Sequence, residues 1–333
     1  MKKRILAGIT PSGSNLHIGN YFGYLKPAIA LQNNQEYDTH YFVADLHALT
    51  TVQDGEKLSQ NIRGVILDYL ALGIDPDLCT FFRQSDVPAH SQLAIVLANY
   101  IGYGQMQRMH AFKDKLQKGV DVEAVNMGLF NYPILMTADI LLYKPYGVPV
   151  GEDQRQHIEL ARDIAENFNR AYGQEVFPLP EPIISTETGK IVGTDGERKM
   201  SKSLNNTIGI FEDEAVIKKQ IMGCFTDPSR KKVTDPGKVV GNPVFVYHDL
   251  INEDTEEVAD LKTRYRAGTV GDVEVKQKLI AAHQRFFGQA RQKRAELASQ
   301  PALVDQILLT GAKKAAVVAD QTLAEVYKIV GLK

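Results

Sequence analysis

The 333-residue chain has no tryptophan, only two cysteines, and no apolar run approaching the ~20 residues of a membrane-spanning helix. Each shortage removes a class of protein. Cys79 and Cys224 are too few for a disulfide framework or a four-thiolate metal or cluster site. A reducing, cytoplasmic setting suits such a chain. The richest apolar stretch, Met127 to Val150, is broken by Asn131, Asp139 and Lys144, so no membrane partner is expected. The start, MKKRILAGIT, is basic, but its apolar run is too short for a signal-peptide core. Charge of one sign is lacking too: 38 Lys and Arg face 40 Asp and Glu. No overall basic character marks a nucleic-acid binder. The part from Asp213 onward is slightly positive and the remainder negative, a weak hint that a polyanion meets the C-terminal part. Tyr and Phe carry the aromatic packing.

What is present is ordinary globular composition, with 44% hydrophobic and 23% charged residues, which excludes disorder, collagen and coiled-coil rods. The length suits two domains of about 150 residues each. The first two hundred residues alternate β-rich runs with helix-period segments. Strands are expected at Arg4–Ile9, His40–Ala44, Cys79–Phe82 and Gly147–Val150. Helices are expected at Tyr21–Gln32, Lys57–Leu72, Ser91–Ile101, Tyr132–Tyr143 and Glu152–Phe168. Such alternation implies an α/β fold, a Rossmann-like parallel sheet with helices on both faces. After about residue 205 the pattern is almost all helical: Glu214–Cys224, Thr255–Arg266, Val273–Arg294 and Ala302–Val330, with a turn-rich stretch from Thr226 to Pro243. The expected organisation is a Rossmann-like catalytic domain over 1–204 and a smaller all-helical domain over 205–333. The last helix is a candidate for packing back on the first domain.

Three constellations carry chemistry. Pro11-Ser12-Gly13 and His17-Ile18-Gly19-Asn20 follow the first strand and open a helix. Unpaired backbone N–H groups and the helix dipole make such a turn an anion site. Gly19 lets a ring or phosphate approach, and His17 and Asn20 offer donors. Alone, this is equally a capped turn with a surface histidine. The second is Lys199-Met200-Ser201-Lys202-Ser203, preceded by Arg198, a polar loop able to fold over a triphosphate and spread charge during attack at phosphorus. Alone, it is a solvated basic loop. In the third, Tyr132, Met136 and Asp139 share one helix face. Asp139 sits in an apolar run, where an unpaired carboxylate is very costly. Its partner is either an Arg or Lys, or a ligand carrying an N–H. Val148-Pro149-Val150-Gly151-Glu152-Asp153-Gln154 then runs from strand to helix, with Asp153 either holding a sugar hydroxyl or capping the helix.

The first two motifs, in this order on an α/β pattern, resemble the paired signatures of class I aminoacyl-tRNA synthetases. The runs from Asn126 to Tyr143, Val148 to Asp163, Ala44 to Thr50 and Gly73 to Pro76 resemble bacterial tryptophanyl-tRNA synthetases over about residues 5–205. The C-terminal part is similar mainly in length and character. The resemblance implies a homodimeric ligase. It would activate tryptophan with ATP, releasing pyrophosphate, and transfer it to the 3′ end of tRNA(Trp). Mg²⁺ would accompany the triphosphate, with no metal ligand from the protein, and the helical domain would read the anticodon.

Carried over by position, the resemblance gives Asp139 the indole N–H, Met136, Val148 and Val150 the indole walls, and Leu6 the pocket edge. Tyr132 and Gln154 would hold the α-ammonium, with His47 near the carboxylate end. Thr10, Pro11, Ser12, Gly19, Asn20, Gly151, Glu152, Asp153 and Ile191 would surround ATP, together with Lys199, Met200, Ser201, Lys202 and Ser203. His17, Asn20, Lys199 and Lys202 would form the catalytic set, with Lys115 a further candidate. The chain also departs from the family pattern. Thr10 stands where many relatives carry Gln, Leu6 where Phe is common, and His17 where bacterial tryptophan enzymes often have Thr. The loop Ser14-Asn15-Leu16 is one residue longer than in many relatives, and Gly193–Arg198 differs from the usual run. The chain thus reads as a divergent member with its catalytic set intact. The alternatives are a tyrosyl-tRNA synthetase, a small-molecule nucleotidyltransferase, or a non-catalytic tryptophan- or tRNA-binding paralogue.

Overall fold

The computed structural model describes residues 2–11, 13, 16–110, 112–113, 121, 125–183, 191–228, 230–232 and 234–333, and only the backbone of Asp153. Strand β1 (Lys3–Ile9) pairs in parallel with β2 (Tyr37–Val43), Ile5 opposite Thr39, and β2 pairs in parallel with β3 (Thr80–Arg83). On the other side of β1, a parallel bridge from Ile5 to Gly147 leads to β4 (Val148–Pro149), which pairs in parallel with β5 (Pro182–Ile183). The order is therefore β3-β2-β1-β4-β5. It reverses between β1 and β4, the place where open α/β sheets bind ligands beyond the strand carboxyl ends. β5 escaped sequence reading because it is two residues long and starts with proline, which favours sheet edges.

Helix α1 (Ile18–Asn20), a π-helical turn (Tyr21–Leu25) and α2 (Lys26–Asn33) follow β1 in unbroken succession. The helix thus starts one turn before the expected Tyr21, because His17 caps it. α3 (Asp45–Ala48) and α4 (Gly55–Leu72) follow β2. α4 is capped by Asp54 and ends at Gly73, whose φ of 120° only glycine adopts readily. α5 (Ala89–Leu97), α6 (Tyr103–Gln107), α7 (Met127–Tyr143) and α8 (Arg155–Tyr172) complete the α/β part. α7 begins five residues before the expected start, since the Asn126 side chain accepts from the Leu129 amide.

The C-terminal part contains α9 (Glu214–Met222), α10 (Pro243–Ile251), α11 (Thr255–Ala267), α12 (Asp272–Ala298) and α13 (Pro301–Ile329). α12 packs on α4, α9 and α10. α13 instead returns to β3, α5 and α7. Gly311 makes this possible: a Cβ there would lie 1.8 Å from the Phe81 carbonyl oxygen. The edge strand β3 is thereby covered rather than left open. Two apolar clusters form the core. One joins Phe22, Tyr69, Phe245 and Phe287; the other joins Phe82, Tyr143, Phe168 and Phe177. Among the described residues, no helix is long and apolar enough to cross a membrane.

Candidate active site

The His17 turn is built by a reciprocal cap. His17 Nδ1 accepts from the Asn20 amide at 3.3 Å, and Asn20 Oδ1 accepts from the His17 amide at 3.3 Å. The imidazole proton therefore sits on Nε2. Burial, then Lys202 and Lys199, lowers the His17 pKa to about 4, so the ring is neutral at pH 7. The turn is paired with the chain that follows the lysine loop. The Ile18 amide donates to Ile208 O, and the Ile210 amide donates to Leu16 O, each at 3.0 Å. Buried Met200 lies over Gly19, where a Cβ would come within 3.2 Å of its Sδ. Lys202 Nζ donates to Gly13 O at 3.3 Å. Two segments far apart in sequence thus share one wall at the carboxyl end of β1.

The lysine loop is held from inside by Asn206, which is buried. Asn206 Oδ1 accepts from the Ser201 amide at 2.7 Å; its Nδ2 donates to Asp195 Oδ2 at 3.0 Å and Lys199 O at 3.2 Å. Gly193 makes room, since a Cβ there would meet Asn206 Nδ2 at 2.1 Å. Desolvation pushes the Asp195 pKa up, but donation from Asn206 and the Glu197 and Arg198 groups brings it to about 2. Arg198 is paired with this carboxylate at 3.0 Å, so one of the loop's three cations is structural. Among the described residues Lys199 has no carboxylate partner and is exposed. The Met200 amide donates to Ile191 O at 2.9 Å, and Ser201 Oγ lies 3.0 Å from Ser203 Oγ.

Across the switch point, Asp139 is 2% exposed on α7. Its Oδ1 accepts from Gln84 Nε2 at 2.7 Å and His90 Nδ1 at 2.6 Å; Oδ2 accepts from His47 Nε2 at 2.9 Å. Burial alone would raise its pKa, but His47 and His90 override it and pull the value down to about 2. The carboxylate has roughly four acceptor positions. Among the described residues three donors leave one, on Oδ2. Leu6 and Val148 are buried in the second apolar cluster, with Met136 and Val150 half-buried against the same cluster. Tyr132 Oη lies 2.7 Å from His157 Nε2, and its ring meets His47 edge-on at 6.0 Å.

Among the described residues no Arg or Lys pairs with Asp139; Gln84 and two histidines donate to it instead. His47 lies on Asp139 itself, because a buried carboxylate recruits any N–H within reach. Thr10 is exposed and Pro11 buried at the end of β1; Gly151 and Glu152 are exposed beyond β4, and Gln154 is half-buried in the turn that follows. Glu152 is ion-paired with Arg155 at 2.7 Å. Ser12, Lys115 and the side chain of Asp153 lie outside the described residues. Gln84, His90 and Asn206 carry the site without having been singled out from sequence. The only local signal for His90 is a histidine set among Val87, Ala89 and Leu93. Among the described residues, no group of three or more His, Cys, Asp or Glu is placed to hold a metal ion.

A parallel switch-point sheet, a His-Gly turn on its first strand and a lysine loop folded against that turn define a class I aminoacyl-tRNA synthetase. The chain belongs to the family described as tRNA synthetases class I (W and Y), whose pattern matches residues 1–288. Relatives alike over nearly the whole chain include tryptophan enzymes. It is 43% identical over 330 residues to a tryptophan--tRNA ligase of Fusobacterium nucleatum, covering 99% of this chain and 98% of that protein. A tryptophan--tRNA ligase of Treponema pallidum is 42% identical over 332 residues, with 99% and 97% covered. The crystal structure of tryptophanyl-tRNA synthetase from Campylobacter jejuni, complexed with ADP and tryptophan, superposes with a TM-score of 0.91 at 41% identity, covering 98% of this chain and 99% of that one.

Proposed function

We infer that the chain is a tryptophan--tRNA ligase. The tryptophan carboxylate attacks the α-phosphorus of ATP, the bond to the bridging oxygen breaks, and pyrophosphate leaves. The terminal ribose hydroxyl of tRNA(Trp) then attacks the acyl carbon of the adenylate, and AMP leaves. The observation that carries the amino-acid assignment is the ionised, buried Asp139 with one acceptor position open, on the helix face it shares with Met136. A pocket that must satisfy such an acceptor rejects a side chain lacking the donor by up to ~10⁴–10⁵-fold. Phenylalanine has no ring donor, and the tyrosine hydroxyl sits elsewhere.

No covalent nucleophile is needed, since the substrate brings its own. Positioning and charge stabilisation suffice. Neutral His17 donates through Nε2 and Asn20 through its side-chain Nδ2; Lys199 and Lys202 meet the phosphates; Tyr132 and Gln154 hold the α-ammonium. Thr10, Gly19, Gly151 and Ile191 border the nucleotide. Mg²⁺ travels with ATP and neutralises triphosphate charge, which suits a cation that keeps its waters and binds mainly through phosphates. The helical part, 205–333, reads the anticodon, and the working unit is a homodimer.

The test is amino-acid-dependent ATP–pyrophosphate exchange with all twenty amino acids, without tRNA. Exchange with tryptophan alone is expected. Exchange with tyrosine would overturn the specificity. No exchange, with folded protein, ATP and Mg²⁺ present, would overturn the catalytic reading.

A further inference from the structure

The Asp139 carboxylate is held by a second layer of side chains. Gln84, His90 and Tyr143 are each 0% exposed. Gln84 Oε1 accepts from the Leu46 amide at 3.2 Å, which fixes the amide so that its Nε2 faces Asp139. His90 Nε2 lies 2.9 Å from Tyr143 Oη while Nδ1 lies 2.6 Å from Asp139 Oδ1. A neutral His90 can therefore donate to Asp139 only if the Tyr143 hydroxyl donates to it. Both lone pairs of Oδ1 are filled by donors that cannot turn away. Oδ2 is different: its partner His47 is half-buried and its ring meets Tyr132 edge-on.

We propose that Gln84 and His90, the latter aimed by Tyr143, are the positioning residues that set ring-donor specificity, by saturating Oδ1 and leaving Oδ2 as the one place a substrate can bind. This rests on Asp139 being the acceptor for the indole N–H. The consequence is a rejection as well as an attraction. A carboxyl group facing two fixed N–H donors cannot protonate on Oδ1. With Oδ1 held by two donors and the acid ionised, the open position on Oδ2 is an acceptor only, and a substrate ring that carries an acceptor or a sulfur where indole has N–H leaves it unpaired. Buried polar groups left unpaired in this way give strong discrimination.

The experiment measures kcat/KM in pyrophosphate exchange for tryptophan and for β-(3-benzothienyl)alanine, which has similar shape and no ring N–H. Variants are His90→Leu, His90→Asn, Gln84→Leu, Tyr143→Phe and Asp139→Asn, each checked by thermal melting. His90→Leu and Gln84→Leu should each lower the tryptophan-to-analogue ratio by about tenfold or more, through the loss of one buried donor. The fall should come mainly through the tryptophan KM. His90→Asn, whose Nδ2 can stand where Nδ1 stood, should keep the ratio within about threefold of the parent, and Tyr143→Phe should fall between the two. Were the residues only structural, activity with both substrates would drop together at an unchanged ratio, and the proposal would be wrong. Should His90→Leu fail to fold, Tyr143→Phe against His90→Asn decides the matter by the same ratio. An Asp139→Asn variant with the parental ratio would overturn the pocket reading itself. An altered ratio there, with the parental ratio in His90→Leu and Gln84→Leu, would overturn the positioning role alone.

Discussion

Replacing Arg294 by methionine should destabilise the protein by about 3 kcal/mol at pH 7, at the lower end of the range for breaking a buried pair. The Asp68 carboxylate is fully buried on α4. Its Oδ1 accepts from Arg294 Nε at 2.5 Å and its Oδ2 from the Leu16 amide at 3.2 Å. Arg294 belongs to α12, so one carboxylate ties α4, the helical part and the loop before His17. Burial raises the Asp68 pKa even with Arg294 and Leu16 pulling the other way. Without Arg294 the Leu16 amide and the nearby Lys202 charge would remain, and the acid would be pushed up further. Each tenfold change in the acid's protonation equilibrium corresponds to about 1.36 kcal/mol. The Arg294 side chain is 26% exposed, so its own loss of partners costs little beside the stranded carboxylate.

The sign follows from linkage. An acid whose folded pKa lies above its unfolded value, roughly 3.9, penalises folding above both values and is relieved as pH falls through the folded one. The deficit of Arg294→Met relative to the parent should therefore narrow between pH 7 and pH 5. Removing both charges, as Asp68→Leu with Arg294→Met, should recover most of the loss. Urea unfolding at pH 7, 6 and 5 on the parent, both single variants and the double variant reads these terms as a cycle. A loss under about 1 kcal/mol, the worth of an exposed pair, would refute the reasoning. So would a deficit constant across the three pH values.

Lys202→Ala should lower the rate of adenylate formation by about 10²–10³-fold, as for other preorganised transition-state donors, and leave the tryptophan KM within a few-fold. A change in tryptophan KM alone would contradict its phosphate role. Gly311→Ala should cost about 1–3 kcal/mol or more through overpacking against Phe81, seen as a lowered Tm. Gly288→Ala, where nothing lies within 4 Å of the new Cβ, should be neutral or stabilising; equal effects of the two would reject the packing argument. His17 and His283 are both held to about pKa 4, chiefly by burial. Histidines kept neutral in the fold contribute stability that is complete above about pH 6.5 and lost as pH falls toward 4, up to about 3 kcal/mol each. His283→Gln, able to keep the bond to Gly209 O that His283 Nε2 makes at 2.9 Å, should remove part of that slope in unfolding measured from pH 7 to 4; an unchanged slope would reject it.

The sequence made some of this legible and hid the rest for identifiable reasons. β1 to β4 and the long helices declare themselves by period, because each buries one face against a neighbour. The His17 and Lys199–Ser203 segments are readable because their chemistry is local: a cap within four residues, a run of cations within a loop. What brings the two together is not local. Asn206, Met200 and the pairing of Ile208 and Ile210 with Leu16 and Ile18 depend on how the sheet and α12 close around them. Asp139 shows the limit most clearly. An acid in an apolar helix demands a partner, and the obvious partner is an arginine. A guanidinium commonly takes both carboxylate oxygens at once, which would have left little for a substrate to hold. The donors that the fold supplies come singly, from the end of β3 in Gln84, from α5 in His90 and from α3 in His47. Single N–H donors keep the acid ionised without filling it. Whether a buried aspartate is a structural pair or a binding site is therefore decided by the kind of donor that three separate elements bring to it, and no spacing along α7 encodes that.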